Sequence, residues 1–558
     1  MSIEQQNSDS GSQVFKTDVL ARKGLFKGMH KGMTVASAAL VLAFVLFTGF
    51  NTELASSIFG TARSWIETTF GWYYLVTVVF LIATCFYIVF SRHGSIRLGD
   101  DDSRPEFSNF AWFSMLFSAG IGIGILFFGV AEPIFYLDNS GAFGYPNNPY
   151  ADMAGATALG HDRAVDAMRV TFFHWGFHGW AVYVIVGLSL AYFAYRMKLP
   201  LALRSALYPF IGDRIYGPIG HVVDMLGVLG CVFGVATSLG LGVSQMSVGL
   251  ERLIGVDPGI NTQLVLIAGI SVISILSAVS GVQRGIKVIS EWNIIISVLV
   301  IGFFLFAGPT AWLLSLFAES LGDYLVNFVQ MGLWFPEEEG PASWQNGWTV
   351  FYWGWWLAWA PFVGLFIARI SKGRTLREFV LGVLLVPTLV IFVWLGIFGG
   401  TALWQELNAA GGPGNAGLID LVNAWNLPAA LFASSDGIAG TGTLGWILSA
   451  LMVFLLMSWF VTSSDSSTLV LTTILSLGND EPPKLFRVLW GIVIGLVAAV
   501  LLLAGGLSAL QTALMAAALP LSLVILAMTF GVLKSLWQES GQIAARSPAA
   551  RAAEPQKD

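Results

Sequence analysis

Charge is what this sequence has least of. Its 558 residues include 28 lysines and arginines and 34 aspartates and glutamates, 11% of the chain, against about 25% in soluble proteins. A soluble chain of this length covers its surface with far more. The scarcity excludes an ordinary cytosolic enzyme, a nucleic-acid binder with its basic face, and a disordered chain. Cysteine is nearly absent too: Cys85 and Cys231 both sit in apolar runs, too few for a disulfide framework or a structural zinc site. What is present is hydrophobic, at 56% of residues with 21 tryptophans. That combination reads as a polytopic membrane protein.

A spanning helix needs about 20 mostly apolar residues. Twelve stretches qualify: 33–51, 72–91, 111–136, 168–196, 222–250, 263–281, 292–318, 347–370, 376–403, 443–475, 485–505 and 509–536. The polar start, residues 1–32, is too long and polar to lead a cleaved signal peptide and reads as a cytoplasmic tail. With that end inside, 24 of the basic residues fall on the cytoplasmic side. Only Arg63, Arg163, Arg169 and Arg252 fall outside. The split obeys the positive-inside rule and puts both termini in the cytoplasm. Residues 319–332 place Leu321, Tyr324, Leu325 and Phe328 at helical spacing, with Asp323 and Asn327 between them. They read as an amphipathic helix on the outer surface, either a subunit contact or an ordinary interfacial segment. Residues 404–442 form a long outside loop without a basic residue.

Chemistry concentrates at four places. In the third span Gly120, Gly122 and Gly124 alternate. Each costs about 1 kcal/mol of helix stability relative to alanine, so the helix there is broken or loosened. Freed backbone groups at that depth serve a ligand, or small residues let helices pack closely; the glycines alone allow either. In the fourth span Trp175, Trp180 and Tyr183 fall on one broad face at about 100° per residue. In the eighth, Trp355, Trp359 and Phe362 share a face with Trp356 beside them. Interfacial belts use tryptophan too, but these lie mid-span. Clustered indoles there suit a cage for a quaternary ammonium group, at about 0.5–2 kcal/mol per ring. In the tenth span Thr462 and Ser463 offer two neutral oxygens to a small hard cation, or bond back to their own helix. Asp465 in the same span is an intramembrane acid and so a functional candidate, or a structural acid paired nearby. His174 and His178 lack an acidic third ligand and read as hydrogen-bonded core histidines. A membrane-embedded enzyme would have only this pair and Asp465 to work with, so the chain is not read as an enzyme. The cage reads as one that works without a buried carboxylate.

These motifs resemble the betaine/carnitine/choline transporters. The likeness lies in the Gly-rich third span, Trp-x4-Trp-x2-Tyr in the fourth, Trp-Trp-x2-Trp-x-Pro-Phe in the eighth, Thr-Ser-Ser-Asp-Ser in the tenth and the loop Ala368–Glu378. The resemblance implies an all-α integral membrane protein of twelve helices with a leucine-transporter-type 5+5 inverted repeat. Two accessory helices (33–110) would precede a first repeat of spans 3–7 (111–318). The amphipathic segment and loop (319–346) would lead to a second repeat of spans 8–12 (347–536) and a cytoplasmic tail (537–558). It implies import of a trimethylammonium zwitterion by sodium symport. The cage would be Trp175, Trp180, Tyr183 and Trp356. Trp355 and Trp359 would line the path to the cytoplasm, beside Phe362 and the Gly120–Gly124 segment. Sodium would lie on Thr462 and Ser463 with carbonyls of Ser118, Ile121 and Trp459. A homotrimer in the bacterial inner membrane, with lipid and small-molecule partners, no nucleic acid and no cofactor beyond co-transported sodium, completes the expectation. Two departures bear on substrate and stoichiometry. Choline-carrying relatives often have aspartate at the position of Gly124, so glycine there points to a substrate with its own carboxylate. Cys231 and Val235 replace the threonines of a second sodium site. The tail lacks the dense basic helix of an osmosensor. Proton-coupled choline uptake, or exchange, is the alternative.

Overall fold

In the computed structural model, residues 19–120, 122–138, 147–148, 150, 158–280, 283–479 and 481–545 are described; residues 117–120, 278–280, 283–290 and 540–545 are described in backbone only. Among them every regular element is helical. Nine helices are long and apolar enough to cross a membrane, or ten if one bent pair is a single span. The chain is a multi-pass helical membrane protein. Such helices are the one open-chain solution that satisfies all backbone groups inside hydrocarbon.

The first two spans become α1 (Lys31–Phe50) and α2 (Thr52–Phe90). α2 begins 20 residues earlier than its apolar run, because nothing in Thr52–Gly71 breaks a helix. The third span is two helices, α3 (Asn109–Gly120) and α4 (Ile123–Leu137), with Gly122 extended between them at φ −151°, ψ 177°. The glycines thus do interrupt the helix. The fourth is interrupted as well, into α5 (His161–Trp175) and α6 (Phe177–Ala191), with Gly176 between at φ −93°, ψ −145°. Periodicity alone does not show that break.

α7 (Pro218–Ile254), α8 (Ile260–Ser280) and α9 (Gln283–Ala307) follow. The predicted seventh span, 292–318, ends early. Gly308 and Pro309 turn the chain by 107° into α10 (Thr310–Val326), since proline donates no hydrogen bond and disfavours a helical conformation in the residue before it. The predicted surface helix therefore begins nine residues sooner, and it is docked on its own chain. Tyr324 is buried, Arg169 Nη1 donates to Asp323 Oδ2 at 2.7 Å, and His161 pairs with Glu319 at 2.8 Å. Leu325, expected on the same apolar stripe, is exposed.

The second half comprises α11 (Phe351–Arg369), α12 (Leu376–Leu407), α13 (Leu427–Ala439), α14 (Thr443–Leu475) and α15 (Lys484–Ala545). α15 holds both last predicted spans and is broken at Gly505–Gly506, where φ of Gly506 is +60°. It also carries helix past Trp537, where a tail was expected. The segment expected as an outside loop is anchored by Glu406, whose carboxylate accepts from the backbone N–H of Ala416 at 3.1 Å and Ile419 at 2.8 Å. The α2–α3 and α11–α12 connections are joined by the backbone: Gly373 N–H donates to the Leu98 carbonyl at 2.7 Å, and Leu98 N–H donates to the Arg374 carbonyl at 2.8 Å. The Arg374 guanidinium lies 4.0 Å over the Trp112 ring, and Thr375 with Glu378 caps α12.

Burial separates scaffold from periphery. In the most apolar 18-residue stretch of each, 94% of residues within 161–196 and 89% within 339–369 are buried inside the protein, against 17% within 260–277. α8 and α9 present Val265, Leu276, Val298, Leu299 and Phe306 outward, as helices facing lipid do. α6, which carries Trp180 and Tyr183, packs against the tryptophan-rich α11.

Candidate functional site

The site is built where the broken fourth span meets α11. Trp356 is its hub. Its ring centroid lies 6.2 Å from Trp175, 5.8 Å from Trp180 and 4.8 Å from Tyr183, at interplanar angles of 74°, 65° and 51°. Trp180 and Tyr183 meet at 5.3 Å and 89°. All four side chains are buried. Steep angles put the positive edge of one ring on the negative face of another. They also make the four rings walls set at angles rather than a parallel stack, the form suited to surrounding a cation. The approach of α6 to α11 depends on glycine. A Cβ on Gly179 would lie 2.4 Å from Cε2 of Trp356, so a larger residue there would displace the hub.

The four cage residues named from sequence are therefore brought together, though not by the route expected. An unbroken helix was assumed to put Trp175 and Trp180 on one face. The break at Gly176 separates them into two helices, and both still turn toward Trp356. Trp355 meets Trp175 at 5.9 Å and 72°. Gly124 lies against this corner: a Cβ there would come within 2.8 Å of Trp175 Cη2 and 3.0 Å of Trp355 Cη2. Gly122 has open space around it. Trp359 pairs instead with Phe362, 5.4 Å away at 69°, and is half-buried.

The hydroxyl pair of α14 is half-buried. Thr462 Oγ1 donates to the carbonyls of Trp459 at 2.9 Å and Ser458 at 3.2 Å, the back-bonding common for threonine in spans. This uses its proton and leaves its lone pairs. Ile121 lies outside the described residues, and of Ser118 and Gly120 only the helical backbone is described. Asp465 is paired: Arg487 Nη2 donates to its Oδ1 at 2.6 Å. Cys231 and Val235 are buried on α7.

One residue was missed. Glu132 of α4 is fully buried, which corrects the expectation of a cage free of buried carboxylate. Its Oε2 accepts from Trp175 Nε1 at 2.6 Å and from the Tyr352 hydroxyl at 2.5 Å. Its Oε1 lies 2.8 Å from the Tyr136 hydroxyl and 2.9 Å from His174 Nδ1. His174 does have an acidic partner, then, and its Nε2 lies 2.9 Å from Thr349 Oγ1. His178 meets the Tyr324 hydroxyl at 3.3 Å, so both histidines are hydrogen-bonded core residues. The signal was an acid in the apolar run Phe127–Pro133, a functional candidate by default. Among the described residues, no three His, Cys, Asp or Glu side chains group as a metal site.

Residues 33–541 match the betaine/carnitine/choline family of transporters. A probable glycine betaine transporter of Desulfitobacterium hafniense is 44% identical over 503 residues, covering 90% of this chain and 96% of its own. The glycine betaine transporter OpuD of Bacillus subtilis is 41% identical, covering 90% and 94%. The high-affinity choline transport protein of Escherichia coli K12 is 40% identical, covering 90% and 71%. Members of this family move small quaternary ammonium compounds and are not enzymes. The chain belongs to the betaine/carnitine/choline family of membrane transporters.

Proposed function

We propose that this protein imports glycine betaine, or a similar trimethylammonium zwitterion, by sodium symport with alternating access. The convergence of Trp175, Trp180 and Tyr183 on Trp356 carries the reading. Four aromatic faces bind a trimethylammonium group by cation–π attraction, while the Glu132 carboxylate behind Trp175 is closed in by four hydrogen-bond partners of its own. Gly124 at the cage corner leaves that position without a carboxylate, which favours a substrate that brings its own. Trp355, Trp359 and Phe362 of α11 form the path toward the cytoplasm. Sodium is held by the oxygens of Thr462 and Ser463 with the carbonyls of Ser118, Ile121 and Trp459. Counting α3–α4 and α5–α6 each as one broken span, α9–α10 as one span and its surface helix, and α15 as two, and leaving out α13, which at 13 residues is too short to span, gives twelve. Spans 3–7 and 8–12 then form the inverted repeats, with both termini cytoplasmic in the bacterial inner membrane. Three copies assemble through the surface helix. Choline uptake is the competing reading, given the choline relative.

The test is uptake of labelled glycine betaine into proteoliposomes. An imposed inward sodium gradient is expected to accelerate uptake at least tenfold over potassium, and Thr462→Ala to abolish that stimulation. Full-rate uptake without sodium overturns the coupling, and preference for choline over betaine overturns the substrate. Gly124→Ala supplies a steric test. A methyl at 2.8 and 3.0 Å from two indole edges overpacks the corner, at about 1–3 kcal/mol. Glycine betaine affinity is expected to fall about tenfold, read by titration of tryptophan fluorescence.

A further inference from the structure

The cage rings differ in how they are held. Trp180 Nε1 is buried without a hydrogen-bond partner among the described residues. Trp175 and Trp356 are instead fastened by their N–H groups, which fixes each ring plane as well as its position. Trp175 donates to Glu132 Oε2 at 2.6 Å, and Trp356 donates to the backbone carbonyl of His174 at 3.0 Å. Both fastenings lead to one group, since the imidazole of His174 meets Glu132 Oε1 at 2.9 Å. His174 also stacks on Tyr352 at 4.7 Å and 16°, and Tyr352 donates to the same carboxylate.

An ionised carboxylate has about four lone-pair sites. Here four groups from three separated stretches of chain occupy them. A carboxylate so enclosed makes charge-assisted bonds, roughly twice as strong as neutral ones. A glutamine of the same shape has one acceptor oxygen and an NH2 that cannot accept, so it loses the charge and must either give up the Trp175–Tyr352 side or force Tyr136 and His174 to turn from donors into acceptors. An aspartate keeps the charge but falls one methylene short.

We propose that Glu132 is the positioning residue of the cage. Its carboxylate fixes the plane of Trp175 and, through His174, the carbonyl that fixes Trp356, so that two of the four walls stand ready before substrate arrives. Preorganised walls raise affinity because ring ordering is not charged to binding. The inference rests on the cage reading above, and the parent chain tests that separately. A parent chain that does not bind glycine betaine overturns the cage. A parent that binds, with Glu132 variants binding equally, overturns only the role of Glu132.

The experiment compares the full chain with Glu132→Gln, Glu132→Asp and Tyr136→Phe. Each is purified in detergent, titrated with glycine betaine by tryptophan fluorescence, and assayed for uptake in proteoliposomes. Glu132→Gln and Glu132→Asp are expected to raise Kd and KM at least tenfold, with the maximal rate within threefold of the parent. Tyr136→Phe, which removes a donor from the oxygen remote from Trp175, is expected to stay within twofold on both. Glu132→Asp with parental Kd overturns the proposal whether or not Glu132→Gln folds. Equal loss of affinity in all three variants, or a fall in maximal rate with KM unchanged, overturns it too. Failure of both Glu132 variants to fold does the same, leaving the residue a role in folding alone.

Discussion

Trp356→Leu is expected to weaken glycine betaine binding by about thirty-fold, which corresponds to the upper end of one cation–π contact, about 2 kcal/mol. The value is set high because Trp356 is the hub. It alone meets Trp175, Trp180 and Tyr183 together. Its removal takes away one wall and frees the other three from the surface that sets their angles. Leucine keeps apolar volume against Gly179 but offers no π face and no donor to the His174 carbonyl. Trp180→Leu removes a wall without removing the hub, and a tenfold loss is expected. The control is Trp394→Leu. Trp394 is just as buried, stacks on Phe398 at 4.6 Å and 14°, and lies beside Trp459 rather than in the cage. Large-to-small changes of this kind lower stability by a few kcal/mol. That variant should therefore melt earlier with its betaine affinity within threefold. Equal affinity loss in Trp394→Leu and Trp356→Leu would mean that general loosening of the core, rather than a cage, explains the effect.

The sequence carried the cage further than the helix geometry that was used to find it. Trp175 and Trp180 were grouped by an angle that presumes one helix, and Gly176 breaks that helix. The grouping survives because the tryptophans are mid-span and their common partner is on α11, which a periodicity argument within one helix does not contain. The Gly120–Gly124 interruption was legible because three helix-weakening residues fall within a single turn and a half. The turn at Gly308–Pro309 carried an equally local signal, but the apolar run continues past it to Phe317, and hydropathy does not register direction. Glu132 was hidden for a different reason. Its partners lie 4, 42, 43 and 220 residues away in sequence, and a lone acid in an apolar run says nothing about which donors will close around it. Charge counting speaks to topology because topology depends on loops; it is blind to the few charges that the fold takes inside.

Those internal charges include a second buried pair, and the largest expected stability effect falls there. Arg204 and Asp224 are both fully buried. Asp224 Oδ2 accepts from Arg204 Nε at 2.6 Å, and its Oδ1 accepts from the Arg204 backbone N–H at 3.0 Å. Arg204 Nη1 donates in turn to the carbonyl of Ile215 at 3.2 Å. One carboxylate thus ties the connection after α6 onto α7, whose buried length runs through the centre of the protein. Asp224→Ala leaves a buried guanidinium with only neutral acceptors, the Ile215 carbonyl and the Met33 sulfur at 2.7 Å from Nη2. Breaking a buried pair from one side costs about 3–5 kcal/mol. The variant is expected to melt well below the parent in detergent or to fail to accumulate as a folded protein. The double replacement Arg204→Met with Asp224→Leu removes both desolvation penalties and keeps apolar volume, an exchange often neutral or stabilising. It should recover most of the lost melting temperature. If the double variant is no more stable than Asp224→Ala, the backbone bonds to Asp224 Oδ1 and to Ile215, rather than the charge balance, hold this connection in place.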